Sequence, residues 1–193
     1  MRINLGQKLL AAVMLMAGCV LSVNADDVTA FNLIKEGNKH VGDEVKDKVV
    51  QIRSEKSTGS LTPSVWYVVY HDEDATMKAV EVKFEGGKKA SVKRPARILE
   101  LAGRSSEELD RKKMNVDSDK AQATATGDST LSSVKLKATQ FWLEHGDSAP
   151  VWKVRLWAAK SDNPNKDVDI GEIYVSADDG KITRRNLHLE RVN

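Results

Sequence analysis

Cysteine is nearly absent from this sequence of 193 residues, because Cys19 is the only one. A disulfide within the chain is therefore excluded, and stability must come from an apolar core.

Recognisable catalytic motifs are absent too. The sequence has no H-E-x-x-H, no metal-type spacing of cysteine and histidine and no phosphate-binding glycine loop, and its four histidines lie in different segments. We therefore expect a protein that is not an enzyme and uses no cofactor.

An excess of one sign of charge is also missing. The chain has 30 basic and 28 acidic residues, and Arg2 and Lys8 lie in the first 25 residues, which we expect to be removed. The rest of the chain then has 28 residues of each sign. A neutral surface offers no electrostatic attraction to phosphate backbones. Nucleic acid is therefore not an expected partner.

The first 25 residues have the layout of a secretory signal peptide. A positively charged start is followed by an uncharged apolar run over residues 9–21 and by small residues up to Ala25. The run is too short for a stable membrane span. The alternative, a buried helix of the mature fold, is disfavoured because the run is not amphipathic. We expect export to the periplasm or the extracellular space.

Cys19 opens a second route of processing. Residues 15–19 read LMAGC, which resembles a bacterial lipobox, whose cysteine becomes the lipidated first residue. The alternative is that Cys19 serves as a small apolar residue inside the signal core. Lipidation would anchor the protein to the envelope, whereas cleavage after Ala25 would release it.

An internal repeat is the most informative pattern in the remaining sequence. Pro63 and Pro150 each stand just before a valine–tryptophan pair that opens an alternating segment, PSVWYVVY in the first copy and PVWKVRL in the second. A further strand, a glycine–lysine turn and a last strand follow in both copies. Apolar–polar alternation predicts antiparallel strands with one wet face.

A short helix and one more strand are predicted before each of these units. The first helix candidate starts after a cap at Asp26 or Asp27, places Val28, Phe31 and Ile34 on one face and ends at Gly37. The second starts after a cap at Asp117 or Ser118 and ends at Gly127. Helices this short are stable only when they pack on a sheet.

These patterns predict an α+β fold of two tandem modules, each a short helix packed on an antiparallel sheet of about four strands, joined by a helical linker. The predicted segments are a signal peptide at 1–25, repeat 1 at 26–95, the linker at 96–116 and repeat 2 at 117–193. The dense charge of the linker leaves a flexible tether as the alternative to a helix.

The second copy resembles the PepSY family in three short segments. The segment at 117–121, DSDKA, resembles the family's helix start, APVWKVRL at 149–156 its G-x-P-V-Y-E-V-x-V strand, and IYVSADDGKI at 173–182 its V-Y-V-D-A-x-T-G-E-V hairpin. Ser176 and Asp179 depart from the family's Asp and Thr. The first copy is similar mainly in its proline-led strand and glycine–lysine turn. The resemblance implies an exported module that contacts a protein partner, such as an envelope peptidase that it inhibits or regulates.

Strand parity separates two groups of aromatic residues. Trp66 and Trp152 fall in the apolar set and are predicted to lie in the core. The opposite set contains tyrosine, tryptophan and arginine, the residue types that dominate protein-binding hot spots. The predicted partner-binding residues are Tyr67, Lys153, Arg155, Trp157 and Tyr174. Burial of these residues under the linker or the other module is the alternative.

Two other functions stay open from the sequence. His71-Asp72-Glu73-Asp74 combines imidazole and carboxylates, so this cluster, or a cleft between the modules, would suit a small-ligand or metal-binding protein. A solvated hairpin tip is favoured for the cluster, because side chains alternate along an extended chain and do not converge. The second alternative is a passive structural component of the envelope.

Overall fold

A computed structural model describes residues 28–94 and 107–193. The helices are α1 (Ala30–Gly37) and α2 (Ser118–Thr126). The strands are β1 (Val49–Ser54), β2 (Val65–His71), β3 (Ala79–Glu85), β4 (Lys88–Lys93), β5 (Leu136–Glu144), β6 (Val151–Ala159), β7 (Asp167–Ser176) and β8 (Ile182–Leu187). The predicted signal peptide and the lipidation site at Cys19 lie outside the described residues.

The strands form one continuous antiparallel sheet of eight strands in the order β4-β3-β2-β1-β5-β6-β7-β8. The first strand of each repeat lies at the centre, where Ile52 of β1 pairs with Leu143 of β5 and Arg53 pairs with Trp142. The predicted fold of two modules, each with its own helix and four-stranded sheet, is therefore wrong. In separate sheets β1 and β5 would be open edges, and their pairing satisfies backbone groups that such edges leave free.

Serine side chains extend the joint between β1 and β5. The Ser54 hydroxyl accepts from the Phe141 N–H at 2.9 Å, and the Ser57 hydroxyl accepts from the Thr139 N–H at 2.9 Å. The Ser57 N–H in turn donates to the Thr139 carbonyl at 2.8 Å. Because these serines and Thr139 are buried, losing any of the bonds would leave a costly unsatisfied group. The joint is thus a fixed part of the fold.

The two helices pack on the same face of the sheet, and α1 covers both repeats. The Tyr70 hydroxyl of β2 donates to the Ile34 carbonyl of α1 at 3.1 Å. Phe31 of α1 stacks on Trp152 of β6, with ring centroids 6.3 Å apart and an interplanar angle of 29°. A helix that buries its aromatic residue against the other repeat cannot belong to a separate module.

The start of α1 is capped by the start of α2. Thr29, the N-cap residue of α1, makes no side-chain capping bond. The Ala30 N–H donates instead to the Ser118 hydroxyl at 3.0 Å, and the Phe31 N–H to an Asp117 carboxylate oxygen at 3.1 Å. Asp117 is also the N-cap of α2, as predicted. One carboxylate therefore satisfies otherwise free N–H groups of two helices.

One aromatic ring joins the cores of the two repeats. The Phe141 ring lies 5.6 Å from Trp66 and 6.2 Å from Trp152, measured between centroids. All three side chains are at most 1% exposed, which confirms the prediction that both tryptophans are core residues. The indole N–H groups of the two tryptophans have different acceptors. Trp66 donates to the Pro63 carbonyl, and Trp152 donates to the Val116 carbonyl.

The structure describes residues 107–116 of the predicted helical linker. This stretch contains one turn of 3-10 helix at Arg111–Lys113. The Leu109 N–H donates to the Val49 carbonyl at 2.7 Å, and the Val116 N–H to the Ala177 carbonyl at 2.8 Å. Leu109 is 3% exposed. The described stretch is thus anchored to β1 and to the end of β7 rather than folded as a helix.

An ion pair between a buried carboxylate and a half-exposed arginine predicts sensitivity to acid. The side chain of Asp128 is 3% exposed and accepts from the guanidinium of Arg185 at 2.7 and 2.9 Å. The hydrogen bonds from Arg185, then those from Thr130, lower the pKa of Asp128 from 3.8 to about 2. Because the pKa is lower in the folded chain, the stabilisation is complete above the unfolded value of 3.8 and is lost as the pH falls towards 2.

We expect Asp128→Asn to lower the free energy of unfolding by about 1–3 kcal/mol at pH 7, because Arg185 loses its charged acceptor. The difference from the wild type should shrink at pH 2, where the wild-type carboxyl is itself partly protonated. Urea unfolding at the two pH values measures both differences. Asp179→Asn, at a more exposed carboxylate paired with Lys181, is the control and should change stability less. An equal loss at both pH values would contradict the prediction.

Candidate functional site

Seven side chains form a row across the outer face, which is the face of the sheet opposite α1 and α2. Strand register pairs each member directly with the next. In order they are Lys83, Tyr67, Arg53, Trp142, Lys153, Tyr174 and Arg184. Cations and aromatic rings alternate along this set, which we call the cation–aromatic row. With neighbouring strands roughly 4.8 Å apart, the row is about 29 Å long.

Strand alternation places these side chains on the outer face. On β2, Trp66 and Val68 point into the core, so Tyr67 between them points out. On β5, Phe141 and Leu143 are buried, so Trp142 points out. Successive side chains of a strand point to opposite faces, and the paired strands bring these outward positions into line.

Each aromatic ring of the row is covered by a cation. Arg53 lies 4.0 Å from the centroid of the Tyr67 ring, and Lys153 lies 4.6 Å from that of Trp142. Arg184 lies 3.7 Å from the centroid of the Tyr174 ring. Contacts within about 6 Å are in the range of cation–π attraction, worth about 0.5–1 kcal/mol at exposed sites. The row is therefore ordered by contacts within the sheet.

Carboxylates beside the row neutralise all of its cations except the last. The pairs are Arg53–Glu81 at 2.6 Å, Lys83–Glu85 at 2.6 Å and Lys153–Glu144 at 3.6 Å. Arg184 makes no ion pair within the part of the chain that the structure describes, where its contact is with the Tyr174 ring. The row is thus close to neutral along most of its length and positive at the β8 end.

The tyrosine hydroxyls are bound to carboxylates. Tyr67 donates to Glu55 at 2.5 Å, and Tyr174 donates to Glu172 at 2.8 Å. Burial and these acceptors raise the pKa of both phenols. Burial also favours the neutral form of Glu172, but hydrogen bonds from Tyr174 and Arg155 outweigh it and lower the pKa of that carboxyl. Both phenols are therefore neutral donors, and Glu172 is ionised, at neutral pH.

All five predicted partner-binding residues lie on the outer face and are half-buried. Tyr67, Lys153 and Tyr174 belong to the row itself. Arg155 lies beside it, 2.6 Å from Glu172 and 5.3 Å from the centroid of the Trp142 ring. Trp157 lies two positions further along β6, with Lys56 4.8 Å above its ring. The sequence predicted these residues on two separate sheets, whereas the structure brings them onto one face.

The sequence analysis missed four members of the row, which are Lys83, Arg53, Trp142 and Arg184. In the sequence, the adjacent aromatic residues Phe141 and Trp142 break the apolar–polar alternation of their strand, which is typical of a bulge. The irregularity of β5 instead lies between Leu136 and Ala138, so Trp142 keeps a regular outward position. Its shared parity with the polar Gln140 and Glu144 is the signal that could have identified it. Nothing in the local sequence marks Arg53 or Arg184.

The side chains of His71-Asp72-Glu73-Asp74, the segment that the sequence offered as an alternative metal site, do not converge. Asp72 is 1% exposed and accepts from the Asp74 N–H and from Arg94, both at 3.0 Å. The His71 imidazole lies 3.0 Å from Glu73. Within residues 28–94 and 107–193, no three histidine, cysteine, aspartate or glutamate side chains are placed to hold a metal ion. His71 ends β2, and the other three residues begin the connection to β3, where Asp72 accepts the hydrogen bonds from Asp74 and Arg94.

Comparison with known proteins places the chain in no family. It matches no family model, no curated protein and no solved structure. The resemblance to the PepSY family therefore stays a prediction from short segments. No helix in the described residues is long and apolar enough to cross a membrane. The evidence for function thus comes from the outer face itself.

Proposed function

We propose that this is an exported, non-enzymatic binding protein that holds a protein partner against its outer face. The partner we propose is an envelope peptidase, which the protein inhibits or regulates. The cation–aromatic row is the observation that carries the proposal. Tyrosine, tryptophan and arginine recur along it, and these residues dominate the energetics of protein interfaces.

The row is arranged to bind with a small loss of side-chain freedom. Immobilising a flexible side chain in an interface costs about 0.5–1.5 kcal/mol. Arg53 is already held between Glu81 and the Tyr67 ring, and Lys153 between Glu144 and the Trp142 ring. Part of this ordering cost is therefore met during folding, which favours binding of a partner over a loose surface role.

The outer face is also large enough for a specific interface. The row is about 29 Å long, and the outward residues of β6 from Val151 to Trp157 extend over about 20 Å. The two dimensions give a surface of about 600 Å². A standard interface buries about 800 Å² on each partner, so a partner lying along the row and contacting its margins reaches that size.

Affinity capture from an envelope extract, followed by purification of the captured protein, provides the test. We expect Trp142→Ala and Trp157→Ala each to weaken binding to the purified partner roughly tenfold or more, as truncation of aromatic hot spots does. Their melting temperatures should stay close to that of the wild type, because both side chains lie outside the core. If the partner is a peptidase, adding the protein should change its rate of substrate cleavage.

Lys93→Ala is the matched control, because Lys93 is exposed on the edge strand β4, away from the aromatic rings. This variant should bind the partner within about twofold of the wild type. Unchanged affinity of the two folded tryptophan variants would overturn the proposal that the outer face binds the partner. Binding without any effect on a peptidase would leave the face as the site and remove the regulatory role.

A further inference from the structure

The β8 end of the cation–aromatic row opens into a cleft of about 370 Å³. The loop between β5 and β6 forms one wall, and residues of β7 and β8 form the other. The polar residues that line it include Glu144, His145, Asp147, Ser176, Thr183 and Arg184, beside the ring of Tyr174. The cleft therefore continues the row beyond its last aromatic ring.

Arg184 lines this cleft without a carboxylate partner among the described residues. The carbon of its guanidinium lies 3.7 Å from the centroid of the Tyr174 ring. A guanidinium has five N–H donors, so one that is held over a ring by cation–π attraction keeps donors for a planar acceptor. The other row cations, in contrast, each have a carboxylate partner on the sheet.

The other polar groups of the cleft have partners of their own. The Ser176 oxygen accepts from the N–H groups of Asp178 and Asp179, both at 3.2 Å, and the Ser176 hydroxyl helps to lower the pKa of the Asp179 carboxyl by a hydrogen bond. Of the lining carboxylates, Glu144 is paired with Lys153 at 3.6 Å, and Asp147 also interacts with another residue. Arg184 has no carboxylate partner among the described residues, so it is the group of the cleft that can take one further anionic group.

We infer that this cleft binds the carboxylate of an aspartate or glutamate side chain of the partner, with Arg184 as its anchor. The inference rests on the proposed function, because a partner chain that follows the row reaches the cleft at its end. A protein partner has many side-chain carboxylates and one C-terminal carboxylate, so a side chain is the source that we propose. A guanidinium fork matches the two oxygens of a carboxylate.

A five-residue peptide probe tests the inference without the partner. Acetyl-Gly-Ala-Glu-Ala-Gly-amide is titrated into the full chain labelled with ¹⁵N, and the arginine Nε–H signals are followed by NMR. We expect the Arg184 signal to shift and saturate in the millimolar range. The peptide with glutamine in place of glutamate should give no saturating shift, and Arg184→Gln should abolish the response. Lys93→Gln, at an exposed cation on the opposite edge, should leave it unchanged.

Equal shifts with the glutamine peptide, or a saturating response of other signals in Arg184→Gln, would overturn the inference. So would binding of acetyl-Gly-Ala-Gly with a free C-terminal carboxylate in preference to the glutamate peptide. With the purified partner, Arg184→Gln should weaken affinity roughly tenfold, as loss of a charge-assisted pair does. If it does not, while Trp142→Ala does, the carboxylate anchor is wrong and the binding face stands. If neither variant weakens affinity, both proposals fail.

Discussion

Phe141→Ala is expected to lower the free energy of unfolding by about 3–5 kcal/mol, the usual cost of removing a buried phenylalanine. The ring is completely buried and lies between Trp66 of the first repeat and Trp152 of the second. Its removal leaves a cavity between the two core tryptophans. Both repeats should lose stability together.

Urea unfolding followed by circular dichroism measures the loss, and tryptophan fluorescence tests whether the repeats unfold together. With Trp142 and Trp157 replaced by phenylalanine, further replacement of either Trp152 or Trp66 isolates one core reporter. We expect coincident transitions from the two reporters, as in a single cooperative unit. Trp142→Ala is the matched control, because it removes a larger ring from the neighbouring, half-buried position and should cost much less. Separate transitions for the two repeats would contradict the continuous core.

Local sequence patterns predicted the strands well and their arrangement poorly. Alternation of Trp152, Val154 and Leu156 with Lys153 and Arg155 marks β6, because one face of the sheet is apolar and the other is wet. The same logic identified the buried tryptophans. It could not show that β1 pairs with β5, since alternation describes the faces of a strand and not its neighbours.

Burial in β1 does not identify its neighbours either. Val49, Val50, Gln51 and Ile52 are all buried, so both faces of this strand are covered. Covered faces do not show which strand pairs at the edge. The shared cap of the helices also has no sign in the local sequence, because Asp117 and Phe31 lie 86 residues apart.

The candidate site was also predicted only in part, since its outward residues could be predicted and its straight row could not. Parity predicted that Tyr67, Trp157 and Tyr174 share outward positions with charged residues, and the structure places all three on the outer face. The straight row also depends on the register of seven strands. Irregularities between Val49 and Gln51 and between Leu136 and Ala138 shift that register. Register of this kind depends on long-range pairing, so no short segment of sequence carries it.

Gly171→Ala is expected to lower the free energy of unfolding by about 3 kcal/mol or more, by combining backbone strain with a clash. Gly171 lies within β7, between Leu156 of β6 and Leu187 of β8, with a φ of +103°. A β-carbon there would lie 2.0 Å from the Asn186 carbonyl oxygen. Because that atom belongs to the backbone, β8 would have to move away. For a chain of this length the melting temperature should fall by roughly 6–12 °C.

Gly59→Ala separates the effect of backbone strain from the effect of the clash. Gly59 also has a positive φ, +74°, but an added β-carbon would meet no atom within 4 Å. Only backbone strain remains, so this variant should lower the free energy of unfolding by about 1 kcal/mol. Hydrogen exchange should show faster exchange of the β8 amides in Gly171→Ala and no such change in Gly59→Ala. Because β8 carries Arg184, Gly171→Ala should also weaken the response to the glutamate peptide. Equal losses of stability in the two variants would show that the close approach of β8 does not determine the need for glycine at position 171.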